Sequence, residues 1–305
     1  MKKIASHDFG DTEVGTVLDY ALDTTGKMIR ARLLLASADF GPDRDNKKDR
    51  LCMLAAMVEL IHLASLIHDD IVDESDFRRG KPSMQSKYHK DSAVYAGDFL
   101  ITRVNYTLAK NYMNESSMAL SKTIEKMCAG EIDQGLCRYK TDTSIQQYMN
   151  TIKGKTAELF KSACMIGAVE AGAAMDTVNM LANIGETLGI MFQLRDDLLD
   201  YSPSALIGKA SHIDFREGIY TMPVLYALQN DADGKLMNVC LKNAQESLTS
   251  DEIKEVEKLV VELGGVEQTK QEIKHCRTII DGLLAVLPEA PSKDLLSELT
   301  AKLSA

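Results

Sequence analysis

The hydrophobic and polar positions of this chain follow a helical pattern rather than the alternation typical of strands. Alternating β-branched residues are rare, whereas the helix formers Ala, Leu, Met, Lys and Glu are abundant. No proline falls between Ser83 and Ser202, which suits long helices. The sequence therefore predicts an all-α protein with helices at about 11–22, 27–39, 48–75, 91–112, 116–137, 145–172, 176–200, 218–230, 234–246, 250–264, 266–287 and 292–303.

Short polar segments rich in Gly, Pro, Asp and Ser separate the predicted helices, for example FGPDRDN, RRGKPS and YSPSALIGKAS. The chain contains no Gly/Ser linker, no low-complexity tract and no fixed-period repeat. We therefore expect a single domain that covers residues 1–305.

Two of the predicted helices end in the same acidic pattern, DDxxD. The motif residues are Asp69, Asp70 and Asp73 in LIHDDIVDES, and Asp196, Asp197 and Asp200 in FQLRDDLLDYS. In a helix, the first and last aspartate of each set lie one turn apart on one face, and the middle one is rotated away by about 100°. Each motif can thus offer two carboxylates to one cation, with a third nearby.

These carboxylates favour a hard divalent cation. Runs of acids are often plain solvated surface, so two acidic helix ends are the alternative interpretation. The presence of two copies, each ending an apolar helix and each followed by basic residues, favours metal binding. Oxygen ligands without Cys or suitably spaced His indicate Mg²⁺ first and Mn²⁺ second.

Basic residues accompany the acids and suit phosphate groups. They are Arg78 and Arg79 after the first motif, Lys209 after the second, Lys27 and Arg30 in GKMIRAR, and Lys155 with Thr156 in GKTAELF. Taken alone, Lys27 and Arg30 would be an ordinary solvated helix face. Together with the acids, they predict two metal-binding walls that face one cavity and bind two polyphosphates.

The helix that leads to the first motif carries small or apolar residues on shared faces. They are Met57, Val58, Ile61, Ala64, Ser65 and Leu66. On the pattern alone, ordinary core packing is the favoured explanation, and an apolar tunnel that leads away from the metal site is the alternative. A ligand with a diphosphate head and a hydrocarbon tail would need both a metal site and a tunnel.

Composition narrows the setting of this chemistry. A net charge of −10 argues against a general nucleic-acid binder. The six cysteines form no CxxC pair and no zinc spacing, which is typical of small buried residues in a reducing cytosol. The first residues lack the apolar segment of a signal peptide, and the most apolar stretch carries Glu59 and His62. We therefore expect a cytoplasmic protein without a membrane span.

The ordered set of these motifs resembles the trans-isoprenyl diphosphate synthases, or polyprenyl synthetases. The matching pieces run in the family's order from GKMIRAR at 26–32, through HLASLIHDDIVD with RRGKP, AGDFL, KTAELF and FQLRDDLLD, to GK followed by DFREGIYTMP at 208–223. The resemblance implies an all-α isoprenoid synthase helical bundle with a central active-site cavity, and usually a homodimer. It implies that isopentenyl diphosphate is added head to tail to an allylic diphosphate.

The resemblance also implies roles for individual residues. Three Mg²⁺ would be bound by Asp69, Asp73 and Asp196, with Asp70, Asp197 and Asp200 beside them. The allylic diphosphate would be bound by Arg78, Lys155 and Lys209, and isopentenyl diphosphate by Lys27, Arg30, His62 and Arg79. The catalytic set would be Lys155, Thr156 and Gln193. Two positions depart from the family pattern. Ile219 stands where many members have a lysine, and Ala31 replaces the usual proline.

Product length follows from the floor of the predicted tunnel. Short-chain members of the family have an aromatic residue four or five positions before the first motif, where this chain has Ser65 and Ala64. The next candidate floor residues are Ile61, Val58 and Met57. We therefore expect a product of C20 or longer, and more specifically of about C30 to C40, since one turn of helix adds 5.4 Å of depth. The segment HLASLIHDDIVDE most resembles the catalytic component of heptaprenyl-type synthases, some of which need a small partner subunit.

Other functions remain as alternatives. A short-chain synthase for farnesyl or geranylgeranyl diphosphate would share all the motifs. A terpene cyclase would normally carry a different second metal motif and lack the site formed by Lys27, Arg30 and His62. A non-catalytic subunit would usually lose one aspartate motif, and an acidic interaction module would show no dependence on an allylic diphosphate.

Overall fold

The computed structural model describes residues 1–5, 8–23, 26–111, 115–201 and 213–304. Within these residues there are fifteen α-helices, one π-helical turn and one two-stranded hairpin. The prediction of an all-α fold is confirmed. The helices are α1 Lys2–Ala5, α2 Glu13–Leu22, α3 Ile29–Ala38, α4 Lys48–Val72, α5 Met84–Asn111, α6 Glu115–Leu136, α7 Ile145–Ile152, α8 Glu158–Glu170, α9 Met175–Leu199, α10 Ile213–Arg216, α11 Met222–Gln229, α12 Lys235–Asn243, α13 Ser250–Glu262, α14 Gly265–Val286 and α15 Lys293–Ser304.

Two predicted helices differ in detail from the observed ones. The segment predicted as one helix at 145–172 contains α7, a π-helical turn at Lys153–Ala157, and α8. The helix predicted from residue 91 begins at Met84 and is broken at His89, whose φ of 70° is not helical. Neither change has a proline or a pair of glycines to announce it.

A short hairpin follows α4, where the sequence indicated only a break. Strands β1 (Phe77–Arg78) and β2 (Lys81–Pro82) pair in antiparallel register, with Arg78 opposite Lys81. The two turn residues, Arg79 and Gly80, both have positive φ, at 53° and 78°. This is the backbone of a type I′ turn, whose twist matches the pairing of two strands. Strands of two residues are too short to produce an alternating sequence pattern, so the pattern could not predict them.

The first compact unit comprises Met1–Ile124, Ser162–Ala182 and Pro288–Ser292. Its long helix α4 packs against α3 and α5, and α1 and α2 pack on α5. Leu34 of α3, Leu54 and Leu60 of α4, and Leu100 of α5 are fully buried at the centre of this packing. The C-terminal end of α4, which carries the first aspartate motif, is therefore held by a rigid core.

The second unit comprises Glu125–Lys161, Asn183–Leu287 and Lys293–Ala305. Here α11 packs against α7, α13 and α14, and α14 packs against α15. Side-chain caps fix several of its helices. Ser144 accepts the N–H of Gln147 at the start of α7, and Thr249 forms a reciprocal capping box with Glu252 at the start of α13. The expectation of one domain over 1–305 stays a prediction.

Helix α4 is the one described helix that is long and apolar enough to cross a membrane by length and composition alone. Of its most apolar 18-residue window, 61% is buried within the protein. A core helix passes the same test, and this burial agrees with the prediction of a buried helix.

Candidate active site

The first aspartate motif lies at the C-terminal end of α4, where its three carboxylates differ in burial. Asp70 is 3% exposed, whereas Asp69 is partly exposed and Asp73 exposed. Asp70 accepts hydrogen bonds from the Arg78 guanidinium, through Nε at 2.8 Å and through Nη2. The helical geometry predicted that the middle aspartate would leave the shared face. The structure adds that Asp70 is ion-paired inside the protein, so the outer two carboxylates are the accessible ones.

Gln85 fixes the chain between α4 and the hairpin. Its side-chain amide donates to the carbonyl of Asp70 at 2.5 Å and to that of Ser75 at 3.0 Å. The last carbonyl groups of a helix lack partners within the helix. Gln85 supplies donors to this end of the chain, and it thereby holds the acidic helix end against the start of α5.

Arg30, Arg79 and His62 form a cationic cluster in the same unit. Arg30 is 8% exposed near the start of α3, and burial lowers the pKa of its guanidinium to about 10. Burial and the neighbouring charges of Arg30, Arg79 and Arg78 lower the pKa of His62 to about 2. His62 is therefore a neutral imidazole that is able to donate one hydrogen bond and accept another.

Glu59 links this cluster to the backbone of α3. Met28, the residue before α3, has a left-handed backbone and gives no side-chain cap. The buried carboxylate of Glu59, on α4, accepts the N–H of Ala31 at 2.9 Å and so provides a cap from another helix. Its negative charge also raises the pKa of Arg30, in the direction opposite to the effect of burial. No sequence motif indicated a role for Glu59, although an acid within an apolar helix is a visible signal.

Gly26 and Lys27 stand just before α3, next to the tip of the hairpin. A side chain at position 26 would overlap the guanidinium of Arg79, so glycine permits this close approach. Lys27 is exposed. The structure therefore brings Arg79 to the GKMIRAR segment, as expected of two pieces of one anion site.

The predicted floor residues separate into two classes. Ala64, Val58 and Met57 are 0% exposed and Ile61 is 2% exposed. Ser65 is partly exposed, one turn before Asp69, and its hydroxyl donates to the carbonyl of His62 at 2.9 Å. Within this group, Ser65 is the accessible position on the face that leads to the metal motif.

The second aspartate motif lies at the end of α9 and repeats the pattern of the first. Asp197 is 6% exposed, whereas Asp196 is exposed and Asp200 partly exposed. Asp197 accepts hydrogen bonds from the Tyr148 hydroxyl at 2.6 Å, from Gln193 Nε2 at 3.1 Å and from the N–H of Met222 at 3.4 Å. Burial raises the pKa of Asp197 to about 7, and the bonds from Tyr148, Gln193 and Met222 act in the opposite direction.

The π-helical turn carries Lys155 and Thr156. Lys155 Nζ lies 3.0 Å from a carboxylate oxygen of Glu131, and the Thr156 hydroxyl donates to Gln193 Oε1 at 2.8 Å. A side chain on Gly130 of α6 would overlap the backbone of Lys155. A π-helical turn in an α-helix often marks a functional site. Here it lies between two regular helices, where it carries the predicted catalytic pair.

Two positions of the expected phosphate contacts follow the second motif in the sequence. Lys209 lies outside the described residues. Ile219, where a lysine is usual, is 9% exposed next to the buried ring of Tyr220. Arg138 lies near this segment and pairs with Glu217 at 3.2 Å.

The donor set of the two motifs fits a divalent cation that is shared with substrate. Within the described ranges, no three His, Cys, Asp or Glu side chains gather closely enough to bind a metal ion by themselves. Mg²⁺ usually takes one or two protein carboxylates and completes its coordination with water and phosphate oxygens. Two accessible outer carboxylates in each motif meet that requirement.

This chain is similar in sequence to known proteins over most of its length. A family model described as Polyprenyl synthetase matches residues 11–260. Component 2 of heptaprenyl diphosphate synthase from Geobacillus stearothermophilus is 36% identical over 219 residues, which cover 72% of this chain and 68% of that protein.

Two solved structures are similar over nearly the whole chain. Geranylgeranyl pyrophosphate synthase from Lactobacillus brevis is 29% identical with a TM-score of 0.88, and the match covers 98% of this chain and 92% of that one. Polyprenyl synthase from Caulobacter crescentus, complexed with calcium and isoprenyl diphosphate, is 28% identical with a TM-score of 0.89 and covers 99% and 91%.

Proposed function

Because this chain belongs to the polyprenyl synthetase family and is a prenyltransferase, we propose that it adds isopentenyl diphosphate to an allylic diphosphate such as farnesyl diphosphate. The product is a trans-polyprenyl diphosphate of C20 or longer, and we propose a length of about C30 to C40. Each helical turn between the metal motif and the floor residues deepens the proposed tunnel by 5.4 Å. The family includes relatives named for different chain lengths, so length is the finer part of this proposal.

The cationic cluster of the first unit is the observation that supports the proposal most. The charges of Arg30 and Arg79 act on the neutral imidazole of His62, and Arg79 also lies against Gly26, which precedes the exposed Lys27. A cluster of this sign suits a polyanion. We propose that these four side chains bind the diphosphate of isopentenyl diphosphate. His62 then serves as a hydrogen-bond partner rather than as a charge.

The carboxylates and the remaining cations would hold the allylic diphosphate. We propose that Asp69 and Asp73 from the first motif, and Asp196 with Asp200 from the second, bind Mg²⁺, with Mn²⁺ as a substitute. When bound, these cations supply positive charge that stabilises the departing diphosphate. Arg78, Lys155 and Lys209 bind its oxygens, while Asp70 and Asp197 act through their neighbours.

The proposed reaction begins with departure of diphosphate from the allylic substrate. The bond between C1 of the allylic group and its diphosphate oxygen breaks, and the bonding pair leaves with diphosphate. The double bond of isopentenyl diphosphate attacks the resulting cation, and a proton from its C2 goes to the departed diphosphate. Thr156 and Gln193 lie beside the reacting carbons in this scheme, and exclusion of water prevents capture of the cation as an alcohol.

A homodimer is the proposed assembly, and a small partner subunit is an additional proposal. Component 2 in the name of one relative indicates that the enzyme named there has a further component. Light scattering of the purified protein would give the mass of the assembly. A cytoplasmic location is also proposed, consistent with an acidic chain whose described cysteines are all free thiols.

The test is an assay with labelled isopentenyl diphosphate, farnesyl diphosphate and Mg²⁺, followed by hydrolysis and sizing of the products. We expect a ladder that ends at one defined length and that disappears with a chelator. Asp73→Asn should reduce the rate strongly, whereas Asp49→Asn, at the exposed opposite end of α4, should leave it unchanged. Absence of product from folded protein with every allylic primer would overturn catalysis by this chain alone.

A further inference from the structure

A chain of hydrogen bonds runs through the second unit from a buried tyrosine to the π-helical turn. We propose that Tyr148 and Asp197 are positioning residues that orient the Thr156 hydroxyl through Gln193, so that its oxygen lone pairs rather than its proton face the reacting carbons. The inference rests on the proposed function for the place of Thr156, and it assigns a role to Tyr148, which no motif suggested.

The direction of each bond follows from the chemistry of the groups. Asp197 receives three donors: the Tyr148 hydroxyl, Gln193 Nε2 and the N–H of Met222. The NH₂ group of Gln193, which can only donate, faces Asp197 Oδ1 at 3.1 Å. This leaves Gln193 Oε1 to accept the proton of Thr156 across 2.8 Å.

Burial makes this orientation strict. Tyr148, Asp197 and Thr156 are each less than 10% exposed, at 6%, 6% and 8%. Gln193 itself is partly exposed, and rotation of its amide would remove its hydrogen bonds to the buried Asp197 and Thr156. A buried polar group that loses its partner costs about 1–3 kcal/mol. In the observed arrangement each of these donors meets an acceptor, and the proton of Thr156 is used in the bond to Gln193.

The consequence for the reaction is electrostatic. With its proton held by Gln193, the Thr156 oxygen presents the negative end of its dipole to its surroundings. A fixed dipole of this sign stabilises a developing carbocation, and it needs no reorganisation when the charge appears. If the amide were reversed, the hydroxyl would turn its proton outward and oppose the same charge. Tyr148 and Asp197 therefore act on the rate without touching the substrate.

Kinetic constants of Tyr148→Phe and Asp197→Asn test this proposal. Tyr148→Phe removes one donor and keeps the ring, while Asp197→Asn replaces one of the two acceptor oxygens that serve three donors with an NH₂ group. We expect kcat to fall by about tenfold or more in Asp197→Asn and by less in Tyr148→Phe. The KM of both diphosphates and the half-saturating Mg²⁺ concentration should stay within about twofold, because no ligand contact is removed.

Tyr226→Phe is the matched control. Tyr226 is a tyrosine of the same unit whose hydroxyl donates to Glu272 at 2.7 Å, outside this network. Its kcat should equal that of the wild type. Thr156→Ser keeps the hydroxyl and should keep most of the rate, whereas Thr156→Val removes the hydroxyl and should not.

Double variants separate the relay from a general loss of structure. If Tyr148 acts through Thr156, Tyr148→Phe should have little further effect in a Thr156→Val background. Equal losses in both backgrounds would overturn the relay, as would a full kcat in Tyr148→Phe and Asp197→Asn. Thermal melting identifies a variant that does not fold. If Asp197→Asn does not fold, the comparison of Tyr148→Phe alone and in the Thr156→Val background decides whether the relay exists. A wild-type protein that makes no product would refute the proposed function instead.

Discussion

Replacement of Ser65 by phenylalanine tests the proposed control of product length. Ser65 is partly exposed one turn before Asp69, whereas the other floor residues are buried. An aromatic ring at this position should raise the floor of the tunnel without disturbing the core. The hydroxyl that is lost bonds only to the carbonyl of His62 within the same helix.

Helical geometry gives the size of the effect. Ser65 lies four residues beyond Ile61 and seven beyond Val58, which corresponds to about 6 Å and about 10 Å along α4. Three extended backbone bonds span about 3.6 Å, so the four bonds of one isoprene unit span about 5 Å. Moving the floor from Ile61 or Val58 to position 65 should therefore shorten the final product by one to two isoprene units.

The assay compares hydrolysed products of wild type and variants by reversed-phase separation. Ser65→Ala, which removes the hydroxyl without adding volume, should leave the length unchanged. Ala64→Phe is the contrasting variant, because Ala64 is fully buried. A ring there should overpack the core and cost about 1–3 kcal/mol of stability. An active, folded Ser65→Phe protein with the wild-type product length would refute the assignment of the floor.

Three further predictions concern the first unit. Glu59→Ala should lower the unfolding free energy by about 1 kcal/mol through loss of the α3 cap. It should also raise the KM for isopentenyl diphosphate more than the KM for the allylic substrate. His62 has a pKa of about 2 in the folded protein against 6.5 ordinarily. The unfolded chain therefore binds an extra proton below pH 6.5, and His62 should cost at most about 2 kcal/mol of unfolding free energy at pH 5. Denaturant titrations give the unfolding free energy at pH 7 and at pH 5. The difference between these two free energies should be smaller for His62→Gln than for the wild type or for His275→Gln, a substitution on the exposed face of α14. Gln85→Leu should remove the side-chain donor from the carbonyls of Asp70 and Ser75, of which Asp70 keeps the N–H of Ser75 at 2.9 Å. The change should cost about 1–3 kcal/mol of unfolding free energy and raise the Mg²⁺ concentration needed for half-maximal rate; an unchanged Mg²⁺ titration would contradict that role.

Local patterns predicted the helices and both aspartate motifs, because each depends on residues within a few turns of one another. The spacing in DDxxD also predicted that the middle aspartate leaves the face of the other two. The partners of the buried groups were not predictable in this way. Tyr148 meets Asp197 across 49 positions of sequence, and Glu59 meets Ala31 across 28. Such pairs depend on how helices pack, which a local pattern does not contain.

The burial of one aspartate in each motif has a consequence for charge. Asp70 is paired with an arginine and Asp197 is surrounded by donors, so each motif exposes two of its three carboxylates. Under the proposed function, the two outer carboxylates would balance the charge of one divalent ion, whereas a third would add excess negative charge beside the substrate diphosphate. In the proposed metal site, the middle aspartate of each motif is therefore tied to the protein, and only the outer two carboxylates are left to meet the ion.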